Sequence, residues 1–154
     1  MYYNLTKDKA RALKRKAIIR KIFKRYIRQA GLEKITGLRI IDRDDFSRGS
    51  CYCRHYYDGK FKIVLDMVAL YNTRIKWGYS DDYYPGRHNR LSFIIGNKKL
   101  AFRFALLHEL GHAINSCGYV INSREELESN TEVNADNYAI RQLQKDGLLK
   151  EGAI

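Results

Sequence analysis

Apolar positions recur at helical spacing through the first thirty residues. Ala12, Ile19, Phe23, Tyr26 and Ala30 fall on one stripe, with Ile22 beside it, and the remaining faces are mostly lysine and arginine. The pattern predicts a helix over residues 6–30, with Thr6 to cap its start and Gly31 to end it. The period then shortens. "LRIID" (Leu38–Asp42), "YCRHYY" (Tyr52–Tyr57) and "FKIVLD" (Phe61–Asp66) are β-like runs, and Asp58-Gly59 between the last two is a hairpin signal. Residues 66–75 suit a short helix, and "WGYSDDYYPGRHNR" (Trp77–Arg90) reads as a polar, aromatic loop. "LSFIIG" (Leu91–Gly96) is a compact apolar run expected as a strand. Gly96-Asn97 turns the chain into a strong helix from Lys99 to about Asn115, stopped by Cys117-Gly118. A last helical pattern runs from about Ser129 to Lys145 and ends at Gly147. The order is helix, small sheet, helix, helix. It predicts an α+β fold in one domain over residues 1–154, with residues 1–31 as the first helix and 35–150 as the core.

Charge changes the picture of the first helix. The 154 residues carry 29 Lys and Arg against 17 Asp and Glu, a net +12. Residues 1–30 hold eleven of the cations and one acid, Asp8, so +10 of the +12 lies there. Lys14, Arg15, Lys21, Lys24, Arg25 and Arg28 are the candidates for contacting nucleic acid or another polyanion. An acidic protein partner and a merely solvated face are the competing readings. Three cysteines, Cys51, Cys53 and Cys117, are too few and too odd in number for a disulfide framework. No apolar run has the length of a membrane span, and no signal peptide pattern opens the chain. Together these predict a cytoplasmic protein in a reducing compartment.

The chemistry lies in "LLHELGHAIN", Leu106–Asn115. His108 and His112, four apart, share one face of a helix, and both imidazoles can reach one Zn²⁺. Glu109 is rotated by about 100° from His108. It is placed to take a proton from a metal-bound water rather than to ligate, which makes it the candidate general base. Gly111 in a helix interior is disfavoured by roughly 1 kcal/mol relative to alanine, which implies close packing there, most simply against the final helix. Two histidines hold a catalytic metal poorly. Twenty residues after His112, "TEVNADNYAI" supplies Glu132, a carboxylate able to complete a site of two histidines and one glutamate. Asp136, four residues on, shares its face and can accept a hydrogen bond from the outer ring nitrogen of a ligand histidine, His108 by preference.

HExxH followed about twenty residues later by ExxxD resembles the gluzincin metallopeptidases. More narrowly, "HELGH" with "EVNADNYA" is similar to the ImmA/IrrE family, whose members typically show HELGH and then E-x-E-A-N/D-x-F-A. Glu132, Ala135, Asp136 and Ala139 match that pattern, Tyr138 stands for the phenylalanine, and Asn134 departs from the second glutamate. The metal ligand is therefore placed at Glu132. The similarity covers about residues 90–145; residues 1–90 carry no family signature. It implies a zincin-like fold and an intracellular zinc peptidase, of a type common in phages and integrative elements, that cuts a specific protein such as a repressor. It also implies a substrate extended along a sheet edge, for which Leu91–Gly96 is the candidate.

Beyond the metal, a peptidase needs a donor for the developing oxyanion. Tyr84, Arg87, His88 and Tyr119 lie near enough in sequence, and His88 and Tyr119 are the choices. Cys51, Cys53 and His55 alternate on one side of the second β-like run, without an evident fourth ligand for a second metal. Two other functions compete. A DNA-associated SprT-like protease shares HExxH and basic surfaces but typically takes histidine as third ligand, and no histidine follows His112. A non-catalytic DNA- or protein-binding regulator with structural zinc would have no use for Glu109.

Overall fold

The computed structural model describes residues 5–41, 51–56, 58–67, 70, 84–115 and 124–152. Within them the chain forms α1 (Leu5–Gln29), β1 (Thr36–Ile41), β2 (Tyr52–His55), β3 (Phe61–Asp66), α2 (Arg87–Ile95), α3 (Lys98–Asn115) and α4 (Arg124–Lys145). This is an α+β fold, and it divides into two compact units, Met1–Tyr71 and Asn72–Ile154. No described helix is long and apolar enough to cross a membrane.

In the first unit, α1 buries Ala12, Ile19, Phe23, Tyr26 and Ile27, the stripe that helical spacing picks out, and meets β1. It ends as its sequence dictates. Gly31 takes φ 72°, and the amides of Gly31 and Leu32 donate to the carbonyls of Arg28 and Ile27, which satisfies the last turn. The sheet has the order β1-β3-β2. β3 is central, parallel to β1 with Leu38 opposite Ile63, and antiparallel to β2 with Cys53 opposite Ile63. That position explains its near-continuous apolar run, since Phe61, Ile63, Val64 and Leu65 are all buried. The β2–β3 hairpin closes at Asp58-Gly59. Gly59 adopts φ 79°, and the Asp58 carboxylate accepts from the Lys60 amide at 3.1 Å.

The second unit is helical, and here one expectation fails. Leu91–Gly96 is not a strand: Arg87–Ile95 forms α2, which also takes up the end of the segment expected as loop. Arg87, Leu91 and Ile94 are buried and Ser92 and Phe93 exposed, the i, i+4, i+7 pattern of a helix face. A six-residue apolar run is compatible with either structure. The polar residues before it, which complete the helical stripe, decide the outcome. Pro85 and Gly86 (φ 79°) turn the chain into α2, and Asn97 caps α3 by accepting from the amides of Lys99 and Leu100. α4 begins at Arg124, before the expected Ser129, and stops at Gly147 (φ 72°) with the same hydrogen-bond closure as α1. The short helix expected over residues 66–75 falls largely outside the described residues, as does the Cys117-Gly118 stop.

Candidate metal centre

α3 is buried over most of its surface. Leu100, Ala101, Phe104, Leu106, Leu107, Leu110 and Ala113 form its core positions, and His108 and Glu109 are themselves only 8% exposed. Polar groups so buried need partners. α4 supplies them. Its residues Ala135, Asp136, Ala139, Ile140 and Leu143 are buried at three- and four-residue spacing, and Glu132 continues that line toward the helix start. The two helices approach closely because Gly111 has no side chain. A Cβ there would lie 2.8 Å from the Ala135 Cα and 3.0 Å from its carbonyl oxygen.

That approach brings three donors together. The Nε2 atoms of His108 and His112 are 3.0 Å apart. Glu132 Oε2 is 3.2 Å from His108 Nε2, and its Oε1 is 3.2 Å from His112 Nε2. A tetrahedral ion with bonds of about 2.0–2.1 Å sets its donors about 3.3 Å apart, so the spacing suits such an ion. Among the described residues this is the only trio of His, Cys, Asp or Glu side chains close enough to share one. His112 and Glu132 keep 16% side-chain exposure, so the centre is not sealed from solvent.

The surroundings fix the direction of the donors. His108 Nδ1 lies 2.8 Å from Asp136 Oδ1. A neutral His108 that donates there turns its Nε2 lone pair toward His112 and Glu132. Two imidazole lone pairs and a carboxylate then converge on one point, an arrangement that could hold a cation. Without an ion, a proton on His108 takes that place. Burial opposes a charge on His108, but hydrogen bonds to Asp136 and Glu132 and the charges of Glu132 and Glu109 outweigh it and push its pKa up to about 10. Burial also disfavours ionised Glu132 and Asp136. The His108 and His112 contacts hold Glu132 well below the ordinary carboxylate range, and those of His108 and Arg87 do so for Asp136. Such displaced groups gather at functional sites.

Asp136, fully buried, is held in turn. Arg87 donates to it through Nε at 2.8 Å and Nη2 at 3.0 Å, and Tyr84 through its hydroxyl at 2.5 Å. Burial and the Asp136 hydrogen bond push the Tyr84 phenol up to about 12, so it stays a donor. The Arg87 guanidinium also stands 3.6 Å from Glu132 Oε2. One side chain from α2 thus reaches both carboxylates that α4 presents. Arg90 adds a bond to Asn137 from the same helix pair.

Of the residues singled out from sequence, His108, His112, Glu109, Glu132 and Asp136 are thus assembled by α3 and α4. His88 is exposed on α2. Its neighbour Arg87, together with Tyr84, faces Asp136 instead. Sequence reasoning undervalued those two because a segment taken for loop and strand gave no helical face on which Arg87 could align with Leu91. Tyr119 lies outside the described residues. Cys51 and Cys53 belong to the sheet unit and are thiols; the Cys51 Sγ lies 3.9 Å from the Asp66 carbonyl oxygen. His55 pairs through its backbone opposite Phe61. No protein-family model, curated protein or solved structure matches the chain.

Proposed function

We propose that the protein is a metal-dependent peptidase that cleaves a specific intracellular protein, with zinc as its ion. One observation carries the reading. The carboxylate of Glu132 meets two histidine nitrogens spaced for a tetrahedral ion, while Asp136 orients His108 from behind and Glu109 stands beside the first ligand on the same helix. The resemblance of "HELGH" and "EVNADNYA" to the ImmA/IrrE family supports it, as does the choice of two histidines and a carboxylate, a set associated with hydrolytic zinc. The thiols of Cys51 and Cys53 agree with a reducing, cytoplasmic setting.

His108, His112 and Glu132 would hold the ion, whose Lewis acidity, once bound, acidifies a water and polarises a scissile carbonyl. Glu109 accepts the proton of the attacking water and delivers it to the leaving amine nitrogen. Asp136 keeps His108 in the tautomer that offers Nε2 to the centre. Arg87 and Tyr84 keep Asp136 ionised and fixed.

The test compares wild type with Glu109→Gln after incubation with the proteome of the host cell, reading new N-termini by mass spectrometry and bound metal by elemental analysis. The expected result is about one equivalent of zinc in both proteins, with cleavage by wild type and at least ~10²-fold less by the variant. Equal cleavage by the two would overturn the role of Glu109. Absence of tightly bound metal from wild type would overturn the centre itself.

A further inference from the structure

The outer face of α1 carries a row of cations. Lys14, Lys21, Arg25 and Arg28 are exposed and fall within about 60° of arc along the helix, with Lys24 at their flank. They lie opposite the buried line of Ala12, Ile19, Phe23 and Tyr26. The row runs about 21 Å at 1.5 Å per residue. No acid occurs between Lys9 and Gln29; the exposed Ala17 lies beside the cations, and the exposed Leu13 and Ile18 flank the row on opposite sides. The internal partners of this row are weak. Arg28 stands 3.6 Å from Glu33 with both side chains largely exposed, and Arg25 lies over the Tyr26 ring at 5.4 Å.

We infer that this face of α1 binds the phosphate backbone of duplex DNA, without sequence preference. Each alternative lacks something the surface would need. An acidic protein partner would be anchored by an aromatic or aliphatic side chain near the centre of the patch, whereas the exposed aliphatics Leu13 and Ile18 stand at its two edges with the cations between them. Single strands would need exposed aromatic rings for stacking, and the aromatic residues of this helix, Phe23 and Tyr26, are buried. A membrane surface would need an apolar face free to enter it, and that face is buried in the fold. The helix is of a size that the major groove of B-form DNA admits, whereas the corresponding groove of A-form RNA is too narrow. Contacts from its lysines and arginines to phosphates, which carry no sequence information, supply the affinity.

Full-length protein is titrated into a fluorescein-labelled 20-base-pair duplex, with anisotropy read from 50 to 300 mM KCl. Four to five neutralised phosphates predict an affinity loss of about 10²-fold between 50 and 200 mM. Replacing Lys14, Lys21, Arg25 and Arg28 together by Gln is expected to flatten the salt dependence by about one logarithmic unit per residue. A control carrying Lys34→Gln, Lys60→Gln, Lys98→Gln and Lys99→Gln has the same net charge and is expected to keep the wild-type slope. Thermal melts by circular dichroism check that all three proteins are folded. The inference is overturned by absence of binding at 50 mM, by equal losses in the two quadruple variants, or by tighter binding to poly-glutamate than to the duplex. Glu109→Gln serves as a parallel sample, since its DNA binding is independent of whether the chain cleaves anything. If both readings hold, the substrates are proteins found on DNA.

Discussion

At the scale of single residues, the decisive feature is a buried carboxylate that depends on its partners. Asp136 has no exposure and accepts from His108, Tyr84 and both donors of an Arg87 fork. Arg87 is itself only 5% exposed. Removing one member of such a pair leaves the other charge buried and uncompensated, at a cost of about 3–5 kcal/mol. Arg87→Ala is therefore expected to destabilise the protein by about that amount in urea denaturation. Arg87→Lys restores charge without the two-pronged geometry and should fall between the two. An Arg87→Ala protein as stable as wild type would mean that Asp136 does not depend on this contact.

At the scale of elements, the site exists because two helices touch backbone to backbone. Two effects of opposite sign meet at Gly111. Alanine is favoured over glycine in a helix by about 1 kcal/mol. The added Cβ, however, would press on the Cα and carbonyl of Ala135 at 2.8 and 3.0 Å, and backbone cannot turn aside as a side chain can. Overpacking of this kind costs about 1–3 kcal/mol, so Gly111→Ala should lower the melting temperature and weaken zinc binding as Glu132 is displaced from the histidines. A rise in melting temperature would show that helix propensity wins and that the contact is soft. The close packing was legible in the sequence for a physical reason: glycine is disfavoured inside a buried helix unless something occupies the place of its side chain. The two histidines and the two carboxylates were legible because four-residue spacing fixes a shared helix face whatever the rest of the fold does. α2 was not. Its apolar run is too short to show a period, and the helix becomes visible only if the stripe is extended back through Arg87, a residue whose burial depends on a partner on α4, 49 positions away. Likewise, nearness in sequence to α3 does not say which side chain a helix turns inward: Arg87 is buried and its neighbour His88 exposed.

At the scale of the molecule, the candidate metal centre and the basic helix lie in different units. Every donor of the candidate centre lies in Asn72–Ile154, and the basic helix with its three-stranded sheet lies in Met1–Tyr71. The sheet unit has its own buried residues, among them Ile19, Phe23, Ile63 and Leu65, and no part of the trio. In the helical unit the trio concentrates buried polar groups where α3 meets α4, and metal-free protein must satisfy them with protons alone. Metal binding to the folded state alone adds RT ln(1 + [L]/Kd), about 2.7 kcal/mol at a hundredfold excess over Kd. For a chain of this size that corresponds to about 5–10 °C in melting temperature. Chelation should therefore lower the melting temperature by that amount, and re-addition of zinc should restore it. Hydrogen exchange should localise the effect. Peptides from α3 and α4 are expected to lose protection on chelation, while those from β3 and the buried side of α1 change least. Equal loss in both units would show that they unfold as one, and no loss in either would show that the centre does not bind metal with useful affinity.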